Sequence, residues 1–141
     1  MARLTEGIIP KGVLNVITGK GSKSGEFLQH HTGLNKLAFT GSTEVGREIG
    51  LSAAQKVIPA TLELGGKSAN VFFKDADMKL ALEGIQLGIL FNQGQVCSAG
   101  SRIFVEESFY DEFMAHVIPA FEKVKVGNPL DSTVMMGAQA S

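Results

Sequence analysis

The sequence predicts an α/β protein, and two of its features lead to that prediction. Short runs rich in β-branched and aromatic residues alternate with longer stretches whose apolar residues recur at helical spacing. The 17 glycines cluster where these runs meet, as in α/β proteins that use tight turns around phosphate-bearing ligands. At 141 residues the chain is also long enough to bury an ordinary core.

Composition and charge exclude several classes of protein. A net charge of −1 with scattered basic residues argues against binding to nucleic acid. No apolar run approaches the roughly 20 residues of a membrane span, and the first residues lack the apolar core of a signal peptide. One cysteine excludes an internal disulfide and fits a reducing compartment. We therefore expect a cytoplasmic protein without a membrane or nucleic acid partner.

The first elements follow from glycine positions and β-branched runs. A helix tail is expected at residues 3–7 and a strand at Val13–Thr18. Gly19–Gly25 is expected to be a loop, followed by a short helix at Glu26–His31. The loop misses the G-x-G-x-x-G dinucleotide fingerprint, because Ser24 occupies the place of the third glycine.

A strand followed by a longer helix comes next. Leu34–Thr40 reads as the strand, and the turn Gly41–Gly46 leads from it into the helix. Val45, Ile49 and Ala53 recur at intervals of four residues and therefore share one face of that helix.

The turn at the start of this helix has two possible interpretations. Ser42 or Thr43 is a plausible N-cap, and Glu44 suits the positive end of the helix dipole, so the motif can be only a well-capped helix start. It can also hold a nucleotide phosphate at the free N–H groups. It is not a Walker A loop, because Arg47 and Glu48 stand where that motif has Lys and Ser or Thr.

A carboxylate follows the next predicted strand. Val57–Leu62 reads as that strand, and Glu63 stands directly after it and before the pair Gly65–Gly66. Glu63 is either an ordinary surface residue or a partly desolvated carboxylate suited to general-base catalysis. The glycine pair marks a hinge or a domain junction.

The second half of the chain repeats the alternation. Its predicted elements are the strand Ala69–Phe73, a helix from a cap at Asp75 or Asp77 to about Asn92, the strand Arg102–Val105 and a helix over Ser108–Val124.

Cys97, the only cysteine, lies in a loop between a predicted helix and a predicted strand. Gly94 and Gly100 flank it and allow turns that display the sulfur, so Cys97 is a candidate nucleophile. The alternatives are a small buried apolar residue and a redox-sensing thiol. No histidine shows metal-ligand spacing with Cys97 or with a carboxylate cluster, so no metal site is predicted.

Four ordered blocks resemble the NAD(P)-dependent aldehyde dehydrogenase superfamily. G-V-L-N-V-I-T-G-K-G at Gly12–Gly21 is similar to the strand and loop beside the adenosine, and F-T-G-S-T-E-V-G at Phe39–Gly46 to the phosphate-binding turn. L-E-L-G-G-K-S-A at Leu62–Ala69 is similar to the glutamate signature, and G-Q-V-C-S-A-G at Gly94–Gly100 to the cysteine signature. The resemblance covers essentially the whole chain.

The resemblance implies a fold and a set of roles. The fold would be a partial Rossmann-type parallel sheet, residues 1–64, joined to the beginning of an α/β catalytic domain, residues 65–141. Cys97 would attack an aldehyde and use its own backbone N–H to help hold the oxyanion, and Glu63 would be the general base. NAD or NADP would be the cofactor, and its contacts would be Gly21, Gly25, Gly41, Ser42, Thr43, Val45, Gly46 and Leu64.

The resemblance also implies that a full member of the family is several times longer and a homo-oligomer. We expect the oxyanion-binding Asn and the ribose contacts of such a member to lie outside this sequence. An alternative hypothesis follows, in which the 141-residue chain alone is not a catalyst. It would then at most bind nucleotide weakly or associate with a complementary fragment.

Overall fold

Strands and helices alternate along the chain in the computed structural model, which describes residues 2–140. The chain divides into unit 1, Met1–Glu63, and unit 2, Leu64–Ser141. The first and last residues, at which the two predicted domains begin and end, lie outside the described residues. No helix in the described part of the chain is long and apolar enough to cross a membrane.

Unit 1 is built around one helix and the strand before it. Its main elements are a π-helical turn at Gly21–Gly25, helix α1 at Glu26–His30, strand β1 at Leu37–Gly41, helix α2 at Thr43–Lys56 and strand β2 at Ala60–Leu64. β1 and β2 form a two-stranded sheet. The buried side chains of Leu37, Ile49 and Ala53 form the core, because the apolar face of α2 packs on β1.

Helix α2 has a defined beginning and end. Ser42 is its N-cap, since the Ser42 hydroxyl accepts a hydrogen bond of 3.3 Å from the amide of Val45. At the other end Val57 takes the left-handed conformation, with φ 57° and ψ 42°. The amides of Val57 and Ile58 bond to the carbonyls of Ala54 and Ala53, each at 3.1 Å, which is the Schellman pattern.

Three predictions for unit 1 are wrong. Val13–Thr18 is irregular and mostly exposed, and among residues 2–140 no neighbouring strand is hydrogen-bonded to it, so it is not a strand. The expected loop Gly19–Gly25 is helical from Gly21 onward. The predicted strand at Val57–Leu62 begins only at Ala60, because the first residue of that run caps α2 instead.

Unit 2 repeats the pattern of strand, helix, strand and helix. Strand β3, Ala69–Phe72, and strand β4, Arg102–Val105, pair in parallel with Ala69 opposite Arg102. Helix α3, Met78–Leu90, connects them, and helix α4, Tyr110–Glu122, follows β4. Asp77 is the N-cap of α3, as its carboxylate accepts from the Leu80 amide at 3.0 Å.

The core of unit 2 lies between α3 and α4. The predicted stripe on α4 accounts for much of it, because Phe113 is fully buried and packs with Phe109 and Val117 against Ile85. Between β4 and α4 the carboxylate of Glu106 accepts from the Ser108 hydroxyl at 2.5 Å and from the Lys74 amide at 3.1 Å. These two hydrogen bonds, the one from Ser108 first, lower the pKa of Glu106.

Candidate active site

A cavity of about 830 Å³ lies in unit 1. Gly21 and Gly25 form part of one wall, and Ser42 and Val45 form part of another. A Cβ built on Gly21 or Gly25 would meet no atom within 4 Å, so the absence of side chains there leaves open space. Four of the predicted cofactor contacts therefore line one cavity.

A carbonyl of helix α1 fixes the wall that carries Gly21 and Gly25. The carbonyl oxygen of Gln29 accepts a hydrogen bond from the buried Ser52 hydroxyl at 2.8 Å and another from the Lys56 ammonium group. Both donors belong to α2. The two walls of the cavity are thus joined by side chains of α2 that reach the C-terminal end of α1.

The N-terminus of α2, where Ser42 and Val45 line the cavity, carries unpaired donors. The amide of Val45 bonds to the Ser42 hydroxyl, and the amide of Gly46 bonds to the Ser42 carbonyl at 2.9 Å. The amides of Thr43 and Glu44 have no acceptor within residues 2–140. Free N–H groups at the positive end of a helix dipole attract an anion such as phosphate.

The other four predicted cofactor residues do not line the cavity, and one of them, Leu64, belongs to unit 2. Gly41 ends β1, and a Cβ there would come within 2.5 Å of the Phe39 ring, which does line the cavity. Thr43 is the first residue of α2, and Gly46 is buried within it. Leu64 is half-buried at the end of β2. A side chain at position 41 would therefore displace the ring of an aromatic wall residue.

Sequence reasoning missed several lining residues. Phe39, Glu48, Ser52 and Gln55 line the cavity in addition to the predicted residues. The last three follow Val45 at positions three, seven and ten along α2, which is helical spacing. That periodicity could have indicated a second functional face of α2. The face contains both polar and apolar residues, however, so its sequence pattern resembles that of a solvent-exposed helix surface.

Cys97 lies on an exposed turn of unit 2. The Ala99 amide bonds to the Val96 carbonyl at 3.0 Å, which places Cys97 at the second position of a four-residue turn. The backbone N–H of Cys97 has no acceptor among the described residues. A thiol and a free N–H are thus presented at one residue. The prediction that Cys97 is displayed, and not buried, is confirmed.

Hydrogen bonds hold the end of this turn on both sides. The Gly100 amide donates to the Gly88 carbonyl of α3 at 3.0 Å, and the Gly100 carbonyl accepts from the Asn70 side chain of β3 at 3.1 Å. A Cβ on Gly100 would come within 2.2 Å of the Asn70 amide nitrogen. A Cβ on Gly66 would come within 3.2 Å of the Cys97 carbonyl oxygen. A side chain at 100 would therefore displace the Asn70 side chain from its hydrogen bond, and close backbone approach favours glycine at 66.

Glu63 is exposed on β2, between the half-buried Leu62 and Leu64. Of the two interpretations of Glu63, its exposure fits the surface residue and not the partly desolvated carboxylate, because its side chain alternates with those of the leucines along β2. Glu63 belongs to unit 1 and Cys97 to unit 2. No group of three or more His, Cys, Asp or Glu residues in the described part of the chain could hold a metal ion.

Comparison with known proteins identifies the family. The model of the aldehyde dehydrogenase family matches residues 1–141. The chain belongs to the aldehyde dehydrogenase family. Aldehyde dehydrogenase B of Escherichia coli is 50% identical over 140 residues, which are 95% of this chain and 27% of that protein. The chain therefore spans just over a quarter of the length of this curated member of the family.

Solved structures of aldehyde dehydrogenases share the fold. Betaine aldehyde dehydrogenase from Staphylococcus aureus, crystallised with NAD+, is 42% identical and has a TM-score of 0.92, over 99% of this chain and 28% of that one. A mutant aldehyde dehydrogenase from Bacillus cereus is 39% identical and has a TM-score of 0.80, over 87% of this chain and 25% of that one. The predicted α/β fold of the aldehyde dehydrogenase type is confirmed.

Proposed function

We propose that the protein carrying this chain oxidises an aldehyde to a carboxylic acid with NAD(P)+, and that Cys97 and Glu63 carry the chemistry. The observation that supports the proposal most directly is the exposed Cys97 on an anchored turn in a member of the aldehyde dehydrogenase family. The relatives named above are aldehyde dehydrogenases, and one of them was crystallised with NAD+.

The residues of unit 1 fit a dinucleotide. A volume of about 830 Å³ is within the range of small-molecule pockets, and the free amides of Thr43 and Glu44 suit a pyrophosphate. Gly21 and Gly25 leave room for the adenosine, and the 38% exposed Val45 offers it an apolar contact. We assign Gly41 and Gly46 to the shape of the turn and Leu64 to the nicotinamide side.

Cys97 performs the first chemical step. Its thiolate attacks the aldehyde carbon and forms a C–S bond, and the carbonyl oxygen becomes an oxyanion that the free Cys97 N–H can hold. The chemistry that NAD(P)+ supplies when bound is the acceptance of a hydride from that carbon. Loss of the hydride leaves the acyl group as a thioester on Cys97.

Glu63 performs the second step as general base. It takes a proton from water, the hydroxide attacks the thioester carbon, and the C–S bond breaks to release the carboxylic acid and the Cys97 thiolate. The exposure of Glu63 allows water to reach it. We further propose that residues 1–64 belong to the dinucleotide-binding domain and residues 65–141 to the catalytic domain of a homo-oligomeric, cytoplasmic protein.

The test separates the two steps by pre-steady-state kinetics. Cys97→Ala should abolish aldehyde-dependent NAD(P)H formation, both the burst and the steady state, because no thiohemiacetal can form. Glu63→Gln should keep a burst of about one NAD(P)H per site but lower the steady-state rate, because only thioester hydrolysis is impaired. Ser98→Ala, which changes the exposed neighbour of Cys97 on the same turn, is the matched control. Full turnover by Cys97→Ala would refute the proposal.

A second candidate concerns the isolated chain. Because this sequence spans 27% of the Escherichia coli relative, we propose that the 141 residues alone bind nucleotide weakly and do not turn over aldehyde. Turnover by the purified 141-residue chain, lost in Cys97→Ala, would refute this second candidate and leave the first standing.

A further inference from the structure

We propose that Asn92 is a positioning residue for the Cys97 thiol. Asn92 holds a left-handed turn, residues 92–94, whose geometry sets the direction in which the chain enters the turn of Cys97. The inference rests on the proposed role of Cys97 as nucleophile. It concerns a residue that touches neither the thiol nor the cavity of unit 1 in the described contacts.

The backbone before Cys97 takes a rare conformation. Three consecutive residues have positive φ: Asn92 at 47°, Gln93 at 58° and Gly94 at 74°. For residues other than glycine this region is unfavourable, and it persists only where the surroundings enforce it. In the part of the chain that the structure describes, the only other non-glycine residue with positive φ is Val57. The strain in unit 2 is thus confined to the segment that precedes the cysteine.

The side chain of Asn92 closes this turn. Its amide nitrogen donates to the Gln95 carbonyl at 3.1 Å, and the Gln95 amide donates back to the Asn92 carbonyl at 3.0 Å. Asparagine tolerates the left-handed region better than most residues and can make this local hydrogen bond. The closed ring ends at Gln95, two residues before Cys97, so a change in the ring reorients the turn that carries the thiol.

Two further contacts support the turn. A Cβ on Gly94 would lie 2.9 Å from the Ile89 carbonyl oxygen, so the turn packs directly on the last residues of α3. The carbonyl of Gln93 accepts from the Gln139 side chain at 3.3 Å. Near this bond, a Cβ on Gly137 would lie 3.5 Å from the Gln93 side-chain nitrogen. The turn is therefore held by α3 on one side and by residues 137–139 on the other.

Asn92→Gly is the decisive variant, because glycine keeps the left-handed backbone at low cost and removes only the side-chain bond to Gln95. We expect kcat to fall about 10- to 100-fold, the range for misplacing a reacting group by about 1 Å. KM for NAD(P)+ should change much less than kcat, because none of the proposed cofactor contacts belongs to residues 92–94. Asn92→Asp keeps the size but has no amide donor, so it should lower kcat in the same way.

Asp77→Ala is the control for a general loss of stability. Asp77 caps the opposite end of α3, so its loss should destabilise the fold by a similar amount without changing the turn. We expect this variant to keep the wild-type kcat at a temperature where it is folded. Gln139→Ala removes the side-chain bond to the Gln93 carbonyl and so perturbs the same turn from an exposed position. It should lower kcat by a smaller factor than Asn92→Gly does.

Amide hydrogen exchange over residues 91–100 gives a readout besides turnover. It should accelerate in Asn92→Gly and not in Asp77→Ala, because only the former opens the ring at Gln95. A wild-type kcat in Asn92→Gly, with Cys97→Ala inactive, would overturn this inference alone. An equal fall of kcat in Asp77→Ala would overturn it as well. Turnover by Cys97→Ala would overturn it together with the proposed function.

Discussion

Replacing Val57 with glycine should stabilise the protein, although it removes a large side chain. Val57 is left-handed, with φ 57° and ψ 42°, and 92% of its surface is exposed. Relief of the left-handed strain gains about 1–2 kcal/mol. The greater freedom of glycine in the unfolded chain offsets about 0.5–1 kcal/mol of that. Because almost no apolar area is buried at this position, removing the valine side chain loses little hydrophobic stabilisation.

At the middle of both ranges, the net expectation is an increase of about 0.75 kcal/mol in the free energy of unfolding. For an m-value of about 2 kcal/mol/M, the midpoint of urea unfolding rises by roughly 0.25–0.5 M. The midpoint can be followed by circular dichroism of the wild type and the variant under identical conditions.

Val16→Gly is the matched control for this prediction. It makes the same substitution at an exposed residue of unit 1 whose φ is not positive, so only the unfolded-state cost remains. The midpoint of urea unfolding should therefore fall in Val16→Gly, whereas it should rise in Val57→Gly. A lower midpoint for Val57→Gly at unchanged m would refute the reasoning from backbone strain.

Three further predictions test other parts of the structure. Gly100→Ala should destabilise unit 2 by about 1–3 kcal/mol in urea unfolding, because the new Cβ would clash with the Asn70 side chain. Its control is Gly84→Ala, which should stabilise unit 2, because Gly84 is an exposed helix residue and a Cβ there would meet no atom within 4 Å. Ser42→Ala should lower the free energy of unfolding by about 0.5–2 kcal/mol, because the N-cap of α2 is lost. It should also raise the dissociation constant of NADH, measured by the fluorescence of NADH. Unchanged stability would contradict the assigned cap. The Glu106 carboxylate, with its pKa below 4.5 in the folded protein, stabilises the fold above that pH and loses the contribution as pH falls through the lowered value. The urea midpoint of Glu106→Gln should therefore fall less between about pH 6 and pH 3 than that of the wild type, and parallel pH profiles would contradict the assignment.

Local signals predicted the elements on which the candidate site is built. The sequence limited the N-caps to Ser42 or Thr43 and to Asp75 or Asp77, because an N-cap depends on one side chain and the amides that follow it within three residues; the structure selects Ser42 and Asp77. The stripe that contains Phe113 is recognisable because a buried helix face repeats at a fixed period. These signals are contained in a few neighbouring residues, and they place Ser42 at the cavity and the cysteine loop after α3.

Features that depend on distant neighbours could not be predicted in this way. Val13–Thr18 has a strand-like composition, but a strand also needs a hydrogen-bonded partner, which composition does not specify. Val57 begins a β-branched run, yet the capping requirement of α2 overrides its preference for extended backbone. The exposure of Glu63 depends on which face of β2 is covered, and neighbouring residues of a strand point to opposite faces. A shift of one residue along the strand would therefore turn an exposed side chain into a covered one.

Helix α1 has a thermodynamic consequence for ligand affinity. Its five residues are too few for an isolated helix in water, and Gln29 is its only buried residue, so its order depends on the two donors from α2. A dinucleotide that contacts Gly21 and Gly25 would restrict this segment further, and part of the contact energy would be spent on that loss of conformational entropy. The observed affinity should then be weaker than the buried area suggests, and substitutions that rigidify residues 21–30 should strengthen binding without adding a contact.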